Sequence, residues 1–360
     1  MRTITAVDSV SLAIQRTREF LFRQFSWGTY LKLGLVAIVT EGLGSNVNSG
    51  SHRDMHGGSG SGIHPPTGLS PFHMAPHWPS PEIVAVIAAA VVAAFLLAFL
   101  ISYLVTRLRF AYFHCLIHNS KLIRPGWALY SQQAMRFFLL NVVVGLCFLG
   151  VLILIAIPFV HGFVQLFQQI SQDGKPDFGL LLSLILPLIP ILLLLALLGI
   201  ATNMILRDWI LPHMALEDAS AGEAWSSAWA RITAEKREFF VYALLRVALP
   251  IVAAVGLTIV LMIPGLALAG ALAAVEFGIH SMFSDATGAP ALIGILLQVF
   301  FGVLAFGFAL LAAICLGGPL STGIREYALI FYGGRYQVLG DILYPTLAQP
   351  GPAGGSSSVA

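Results

Sequence analysis

Residues 180–206 read LLLSLILPLIPILLLLALLGIATNMIL, and this stretch decides the fold class. It contains no charged residue over a length that spans about 40 Å as an α-helix, more than the roughly 30 Å of a bilayer's hydrocarbon core. In the whole chain only 10% of the residues are charged and 58% are hydrophobic. A soluble fold has no interior large enough for so many apolar side chains. The composition therefore excludes a cytosolic globular enzyme, a nucleic-acid-binding domain and a secreted disulfide scaffold.

Four further stretches are long and mostly apolar, and a sixth, shorter one contains Glu41 near its end. Each of the five long stretches exceeds the roughly 20 residues that a transmembrane helix needs. The sequence therefore predicts an all-α, polytopic membrane protein with six transmembrane helices: Tyr30–Leu43, Ile83–Val105, Phe138–Val160, Leu180–Leu206, Tyr242–Ala274 and Leu292–Cys315.

The cationic residues are divided unevenly between the two sides of these predicted helices. The segments between the predicted helices lie alternately on the two sides of the membrane. Of the 19 Lys and Arg residues, only Arg53 and Lys175 lie on one side, and the other 17 lie on the opposite side. Positive charge is retained on the cytoplasmic side of a membrane. We therefore expect a multi-pass protein of the cytoplasmic (inner) membrane with both termini in the cytoplasm, which requires an even number of crossings.

The composition also divides the chain into regions. Gly, Ser, Pro and His dominate the first outside loop, which cannot bury enough apolar surface to become ordered. We expect an amphipathic helix in 1–29, a membrane domain in 30–343 and a disordered cytoplasmic tail in 344–360. Within the membrane domain we expect a flexible outside loop in 44–81 and cytoplasmic surface-helix segments in 107–136 and 206–241.

Amphipathic helices precede three of the predicted spans. In the clearest one, Asp218 or Ser220 caps the helix, and Glu223 would complete a capping box with Ser220. One face carries Ala224, Ala228 and Ile232. In the N-terminal helix Asp8 or Ser9 is the cap, and Val10, Ala13, Ile14 and Thr17 form one face. The membrane-interface residues would be Trp27, Trp225 and Trp229, because Trp is enriched there.

This order of surface helix, span, outside loop and span occurs three times and suggests a weak threefold repeat of helical hairpins. The alternative is that any amphipathic helix before a span has this pattern. The stretches ILPHMALEDASAGEAW (210–225) and ALIFYGGRYQVLGDIL (328–343) resemble the membrane domain of some bacterial glycerophosphodiester phosphodiesterases and related six-helix membrane proteins. Gly333 and Gly334 depart from the acidic residue expected there. The hydrolase domain of those enzymes has no counterpart in these residues, so the resemblance implies no catalytic residue.

Histidine is the one reactive residue type that is concentrated in a single segment, the first outside loop. Two pairs four residues apart, His52 with His56 and His73 with His77, have the spacing of metal ligands on a helix. Gly and Pro surround both pairs, which favours a polar low-complexity loop over a metal site. His114 and His118 have the same spacing without a nearby third ligand. The sequence therefore predicts no cofactor.

The predicted spans offer little polar chemistry. Glu41 is expected near an outer end, whereas Asp208 and Arg246 are expected near inner ends. The candidates for a polar core are Asn203 and the two prolines near the middle of the fourth span, Pro187 and Pro190, which free backbone carbonyl groups. Such helices line substrate sites in transporters, although prolines also occur as ordinary kinks.

Two functions remain open from the sequence. The first is a non-enzymatic membrane protein that organises or binds partners, which would be the lipid bilayer and other membrane proteins or lipids but no nucleic acid. The second is a small-molecule or lipid transporter with a proline-distorted core. A transporter requires a hydrated cavity at mid-membrane, whereas a scaffold has a dry, apolar centre.

Overall fold

The computed structural model describes residues 4–23, 25–42, 81–173, 178–283 and 289–344. These residues form helices and connecting turns, with no strand among them. The five long helices are α3 (Pro81–Ile117), α5 (Ser131–Asp173), α6 (Phe178–Met204), α9 (Lys236–Phe283) and α10 (Ala289–Gly333). The shorter helices are α1 (Asp8–Phe22), α2 (Trp27–Ala37), α4 (Ile123–Leu129), α7 (Leu211–Leu216), α8 (Ala221–Ala234) and α11 (Gln337–Leu343).

Five helical stretches in the described part of the chain are long and apolar enough to cross a membrane, and the prediction of a polytopic membrane protein is confirmed. The middle of each is exposed to its surroundings rather than buried by the rest of the chain, as expected of surfaces that contact lipid. The stretches are Glu82–Ile117, Ser131–Gln169, Leu181–Leu216, Lys236–Phe283 and Leu292–Gly333. The predicted first span corresponds to α2, which has only 11 residues and does not belong to this set.

The buried side chains are concentrated at one end of the long helices. We call this end the cap; it consists of α1, α4, α7, α8, α11 and the adjoining ends of α3, α5, α6, α9 and α10. Its largest fully buried side chains are aromatic, and Tyr242 of α9 stacks on Tyr327 and Phe331 of α10 at ring-centroid distances of 5.2 and 4.4 Å. Burial of such large rings gives the cap its stability.

Helix α1 lies along α10 rather than flat on a surface. At one end, Arg335, which follows α10, donates to the carbonyl of Ile4, which precedes α1. Later in α1, Arg16 pairs with Glu326 and Thr17 lies next to Gly323, both earlier in α10. The two helices are therefore antiparallel. The predicted caps Asp8 and Ser9 are wrong, because the Thr5 hydroxyl accepts from the backbone N–H of Asp8 and donates to its carboxylate.

The faces of α1 also differ from the expected pattern. Of the four residues predicted to share one face, Ala13 and Thr17 are buried and Val10 is partly buried, but Ile14 is 65% exposed. Ser9 and Phe20 complete the buried face. The reason is that the small side chains of Ser9 and Ala13 allow α1 to pack closely in the cap, whereas the larger Ile14 remains on the outer side.

Helix α2 returns from the tip of this hairpin towards the cap. Gly34 packs directly on α10, and the five residues Ile38–Gly42 continue α2 as a π-helical turn that brings Glu41 to Arg207, Arg246 and Arg325. The expected position of Glu41 at an outer end, away from Arg246, is therefore wrong. The physical reason is that a carboxylate among apolar helices needs cationic partners, and these lie at the cap end of α6, α9 and α10.

Helix α8 agrees with the expected capping pattern. Ser220 is the N-cap, and its hydroxyl and the Glu223 carboxylate form the reciprocal hydrogen bonds of a capping box. Ala224 and Ala228 are buried in the core of the cap, and Ile232 packs against that core. The helix is therefore fixed to the end of the bundle by its small residues.

Candidate functional site

The most unusual group of side chains in the described residues is a set of buried charges where five helices enter the cap. We call it the charge cluster: it contains the carboxylates of Glu41 and Asp208 and the guanidinium groups of Arg109, Arg207, Arg246 and Arg325. The side chains of Asp208, Arg325 and Arg207 are 0%, 4% and 5% exposed. Charged groups buried at this depth are expensive unless they are paired, and within membrane helices they are often functional.

Asp208 is the centre of the cluster. Its Oδ2 accepts from the Tyr242 hydroxyl at 2.8 Å and from Arg246 Nε at 2.9 Å, and its Oδ1 accepts from Arg325 Nη1 at 2.9 Å. Arg325 Nη1 also donates to the carbonyl of Arg207 at 3.0 Å. A single buried carboxylate thus joins α9 and α10 to the end of α6.

Glu41 supplies the second carboxylate. Its Oε2 pairs with Arg207 Nη2 and lies 3.4 Å from Arg246 Nη2, while its Oε1 lies 4.0 Å from Arg325 Nε. The backbone carbonyl of the preceding residue, Thr40, accepts from both Arg109 and Arg207 at 3.1 Å. The cluster therefore fixes the end of α2 to helices α3, α6, α9 and α10.

The local backbone explains how two neighbouring charged residues enter the same buried site. Residues Ile205–Ile210 form a π-helical turn between α6 and α7, and both Arg207 and Asp208 are buried within it. A π-helical turn widens the helix and is common at functional sites. All five residues from Leu206 to Ile210 are buried, so the cap encloses this turn on every side and both charged side chains lie inside it.

The cluster carries an excess of positive charge, because four guanidinium groups face two carboxylates. Arg207 Nε is buried and has no hydrogen-bond acceptor among the described residues. The arrangement suits two chemical roles: a lock that holds the helices together, or a site that attracts an anion. Two hydroxyl groups adjoin the cluster: that of Thr40 donates to the carbonyl of Val36, and that of Tyr242 donates to Asp208.

A second polar group lies deeper in the cap, around His213. Arg231 Nη1 lies 3.2 Å from His213 Nε2, and the Tyr332 hydroxyl lies 2.8 Å from the same nitrogen. An arginine only donates, so Nε2 is the acceptor and Nδ1 carries the proton that is donated to Glu217 at 3.0 Å. Burial raises the pKa of Glu217, but the hydrogen bond from His213 and the nearby Arg231 guanidinium outweigh it and hold that pKa below its usual range.

The residues predicted from the sequence as a polar core do not belong to the charge cluster. Pro187 and Pro190 lie on exposed faces of α6, and Asn203 is half-buried two residues before the π-helical turn. Trp27 is 64% exposed and contacts Phe25 and Tyr30 at the tip of the α1–α2 hairpin. The exposed Trp225 and Trp229 are stacked at 6.1 Å on α8.

The histidine hypotheses have different outcomes. His52, His56, His73 and His77 lie outside the described residues. His114 and His118 come together, with ring centroids 4.6 Å apart, as their spacing predicted. Among the described residues no group of three or more His, Cys, Asp or Glu side chains has the geometry to hold a metal ion.

Sequence reasoning missed the charge cluster because each of its members looked like an isolated charge near the end of a span. A signal was nevertheless present: Arg109, Asp208, Arg246 and Arg325 each lie about two or three helical turns from the cap end of their helix. Charges at a common depth in neighbouring helices can form ion pairs. Glu41 was expected at a different depth, so its pairing with these residues was not predicted.

The comparisons with known proteins identify a family without giving an activity. No curated protein and no solved structure matches the chain. One family model matches residues 4–342, which include α1 at one end and nearly all of α11 at the other. The chain therefore belongs to DUF7544, a family of unknown function.

Proposed function

We propose that this is a non-enzymatic protein of the cytoplasmic membrane that organises or binds partners through its cap. The observation that carries the proposal is that the cationic residues and the buried core lie at the same end of the long helices. The described Lys and Arg residues lie in the cap or on the cap side of the apolar helix middles, and the buried core is there as well. Retention of positive charge in the cytoplasm favours a cap on that side.

The termini support the same orientation. The carbonyl of Ile4 accepts from Arg335, so the two ends of the described chain meet at the cap. Helix α2 also ends there, whereas Pro81, the first residue of α3, lies about 42 Å along the helix from Arg109. The end of α2 and the start of α3 are therefore at opposite ends of the bundle.

The surface that suits a partner best is the outer face of α8. Trp225 and Trp229 are 44% and 52% exposed there and stack on each other, while the opposite face of α8 is buried. Exposed Trp side chains on a rigid helix are typical of interfaces with membranes or proteins. The partners we propose are the lipid bilayer and other membrane proteins or lipids, with no nucleic acid.

Photo-cross-linking in cells tests this role. A photoreactive phenylalanine analogue at Trp229 should form an adduct with another membrane protein or with lipid from the cytoplasmic leaflet. The matched control is the same analogue at Phe277, which is 73% exposed near the opposite end of α9. Protein adducts that form at Phe277 and not at Trp229 would contradict a partner-binding cap.

The charge cluster favours one alternative function, a small-molecule or lipid transporter, because buried ionisable residues in membrane helices often mark a substrate pathway. The two cavities near α1 do not involve the cluster, since their linings contain none of its six residues. A test is solute or lipid flux in proteoliposomes for the wild type and for Glu41→Gln. Flux that depends on Glu41 in a folded protein would favour the transporter over the partner-binding role.

A further inference from the structure

A groove of about 400 Å³ separates α1 from the membrane portions of α9 and α10. Its apolar walls include Leu249 and Ala253 of α9 and Pro319 and Leu320 of α10, and Phe22 lies at the end of α1. These parts of α9 and α10 belong to helices that are apolar enough to cross a membrane. The groove is therefore continuous with the surface that contacts lipid.

Two hydroxyl groups make this groove different from an ordinary gap between helices. Thr17 and Tyr327 both line it, and they are only 7% and 1% exposed. Neither hydroxyl has a hydrogen-bond partner among the described residues. Because a buried hydroxyl without a partner is costly, these two groups point to a ligand that carries hydrogen-bond acceptors.

Gly323 lies beside the Thr17 hydroxyl in the wall of the groove. A Cβ atom at Gly323 would lie 3.5 Å from Thr17 Oγ1, which is ordinary van der Waals contact. A larger side chain would extend into the groove. An alanine at this position should therefore leave the groove open, whereas a larger residue such as leucine should block it.

The charge at the groove indicates the sign of the ligand. Arg18 is an exposed residue of the lining, and no described carboxylate pairs with it. Arg and Lys side chains next to a membrane attract anionic lipid headgroups. An apolar groove, two free donors and one cation together match an amphipathic anion.

We propose that this groove binds one acyl chain of an anionic phospholipid, whose phosphate pairs with Arg18 and whose ester oxygens accept from the Thr17 and Tyr327 hydroxyls. The proposal deepens the function given above, since it names a lipid class as one of the partners. It rests on that function only in placing the cap at a membrane surface.

Native mass spectrometry of the full chain tests the proposal. The protein is reconstituted in vesicles of equal phosphatidylglycerol and phosphatidylcholine, extracted in a mild detergent and weighed with its bound lipid. We expect retention of one phosphatidylglycerol in preference to phosphatidylcholine. Arg18→Gln should reduce that retention about tenfold, whereas the matched control Arg23→Gln, next to the hairpin tip and outside the lining, should not change it.

Substitutions inside the groove separate ligand binding from folding. Gly323→Leu should abolish retention, and Gly323→Ala should preserve it. Ala253→Phe blocks the groove from α9 and serves if Gly323→Leu does not fold. Thr17→Val and Tyr327→Phe should each reduce retention severalfold without lowering the melting temperature, because the hydroxyls they remove have no partner in the chain.

Three results would overturn the proposal. The first is equal retention of the two lipids by the wild type, which would mean unspecific surrounding lipid. The second is unchanged retention in both blocking variants. The third is a lower melting temperature of Thr17→Val with unchanged retention, which would give that hydroxyl a structural role. All three would leave the cross-linking result at Trp229 unaffected, so the failure of this proposal is distinguishable from failure of the proposed function.

Discussion

At the scale of single residues, Asp208 holds the charge cluster together because three donors from α9 and α10 converge on its carboxylate. Replacement by Asn preserves the shape but leaves the guanidinium groups of Arg246 and Arg325 without their closest counter-charge. Removing one partner of a buried ion pair costs about 3–5 kcal/mol. We therefore expect Asp208→Asn to lower the free energy of unfolding by about that amount, measured by denaturant titration in detergent.

The control for this prediction is Asp341→Asn, since Asp341 is exposed on α11. A double-mutant cycle with Arg246→Met adds a second check. The double variant should lose less stability than the sum of the two single variants, because it no longer buries that unpaired guanidinium. Additive losses would show that Asp208 and Arg246 do not stabilise each other.

Glu217 gives a prediction about pH. Its pKa is lowered from 4.5 in the folded protein, so its contribution to stability is complete above pH 4.5 and disappears as the pH falls through the lower folded value. Glu217→Gln should therefore melt below the wild type at about pH 6, and the difference should shrink towards about pH 3. The exposed Glu276→Gln is the control, and a difference that stays constant with pH would contradict the role of the carboxylate.

At the scale of elements, the α1–α2 hairpin is attached to α10 by small residues. A Cβ atom at Gly318 would lie 2.7 Å from the Cα of Gly34, a distance that the two backbones can accommodate only by moving apart. We expect Gly318→Ala to destabilise the attachment of α2 by about 1–3 kcal/mol. Tryptic cleavage near Lys32 should accelerate accordingly.

The matched control lies in the same helix. Gly307 of α10 has nothing within 4 Å of its Cβ position, and Gly307→Ala should leave the cleavage rate unchanged while favouring the helix slightly. Equal cleavage rates in Gly318→Ala and the wild type would mean that α2 is not packed on α10.

The same elements show what can be predicted from a sequence. Runs such as 180–206 predict their own conformation, because length and apolarity alone determine a spanning helix, and the capping box of Ser220 and Glu223 is equally local. The return of α2 was missed because it depends on Glu41 meeting arginines that are more than 160 residues away. No local pattern contains such a contact.

At the scale of the whole molecule, the cap combines the buried aromatic core, the charge cluster and the described cationic residues at one end. The opposite halves of the long helices expose Leu, Ile, Val and Phe side chains. The predicted threefold repeat and the resemblance to phosphodiesterase membrane domains stay predictions. Both describe similarities, one between segments of this chain and one between proteins. The core of the cap, in contrast, is a single cluster formed jointly by residues from α1 to α11.

Accessibility labelling tests the central claim, a multi-pass membrane protein with a cytoplasmic cap, most directly. With Cys115, Cys147 and Cys315 replaced by Ala, single cysteines are placed at Ser226 on the exposed face of α8 and at His280, exposed at the far end of α9. A membrane-impermeant maleimide should label residue 280 in intact cells and residue 226 only after permeabilisation. Labelling of residue 226 in intact cells, or of both residues from the same side, would contradict the account.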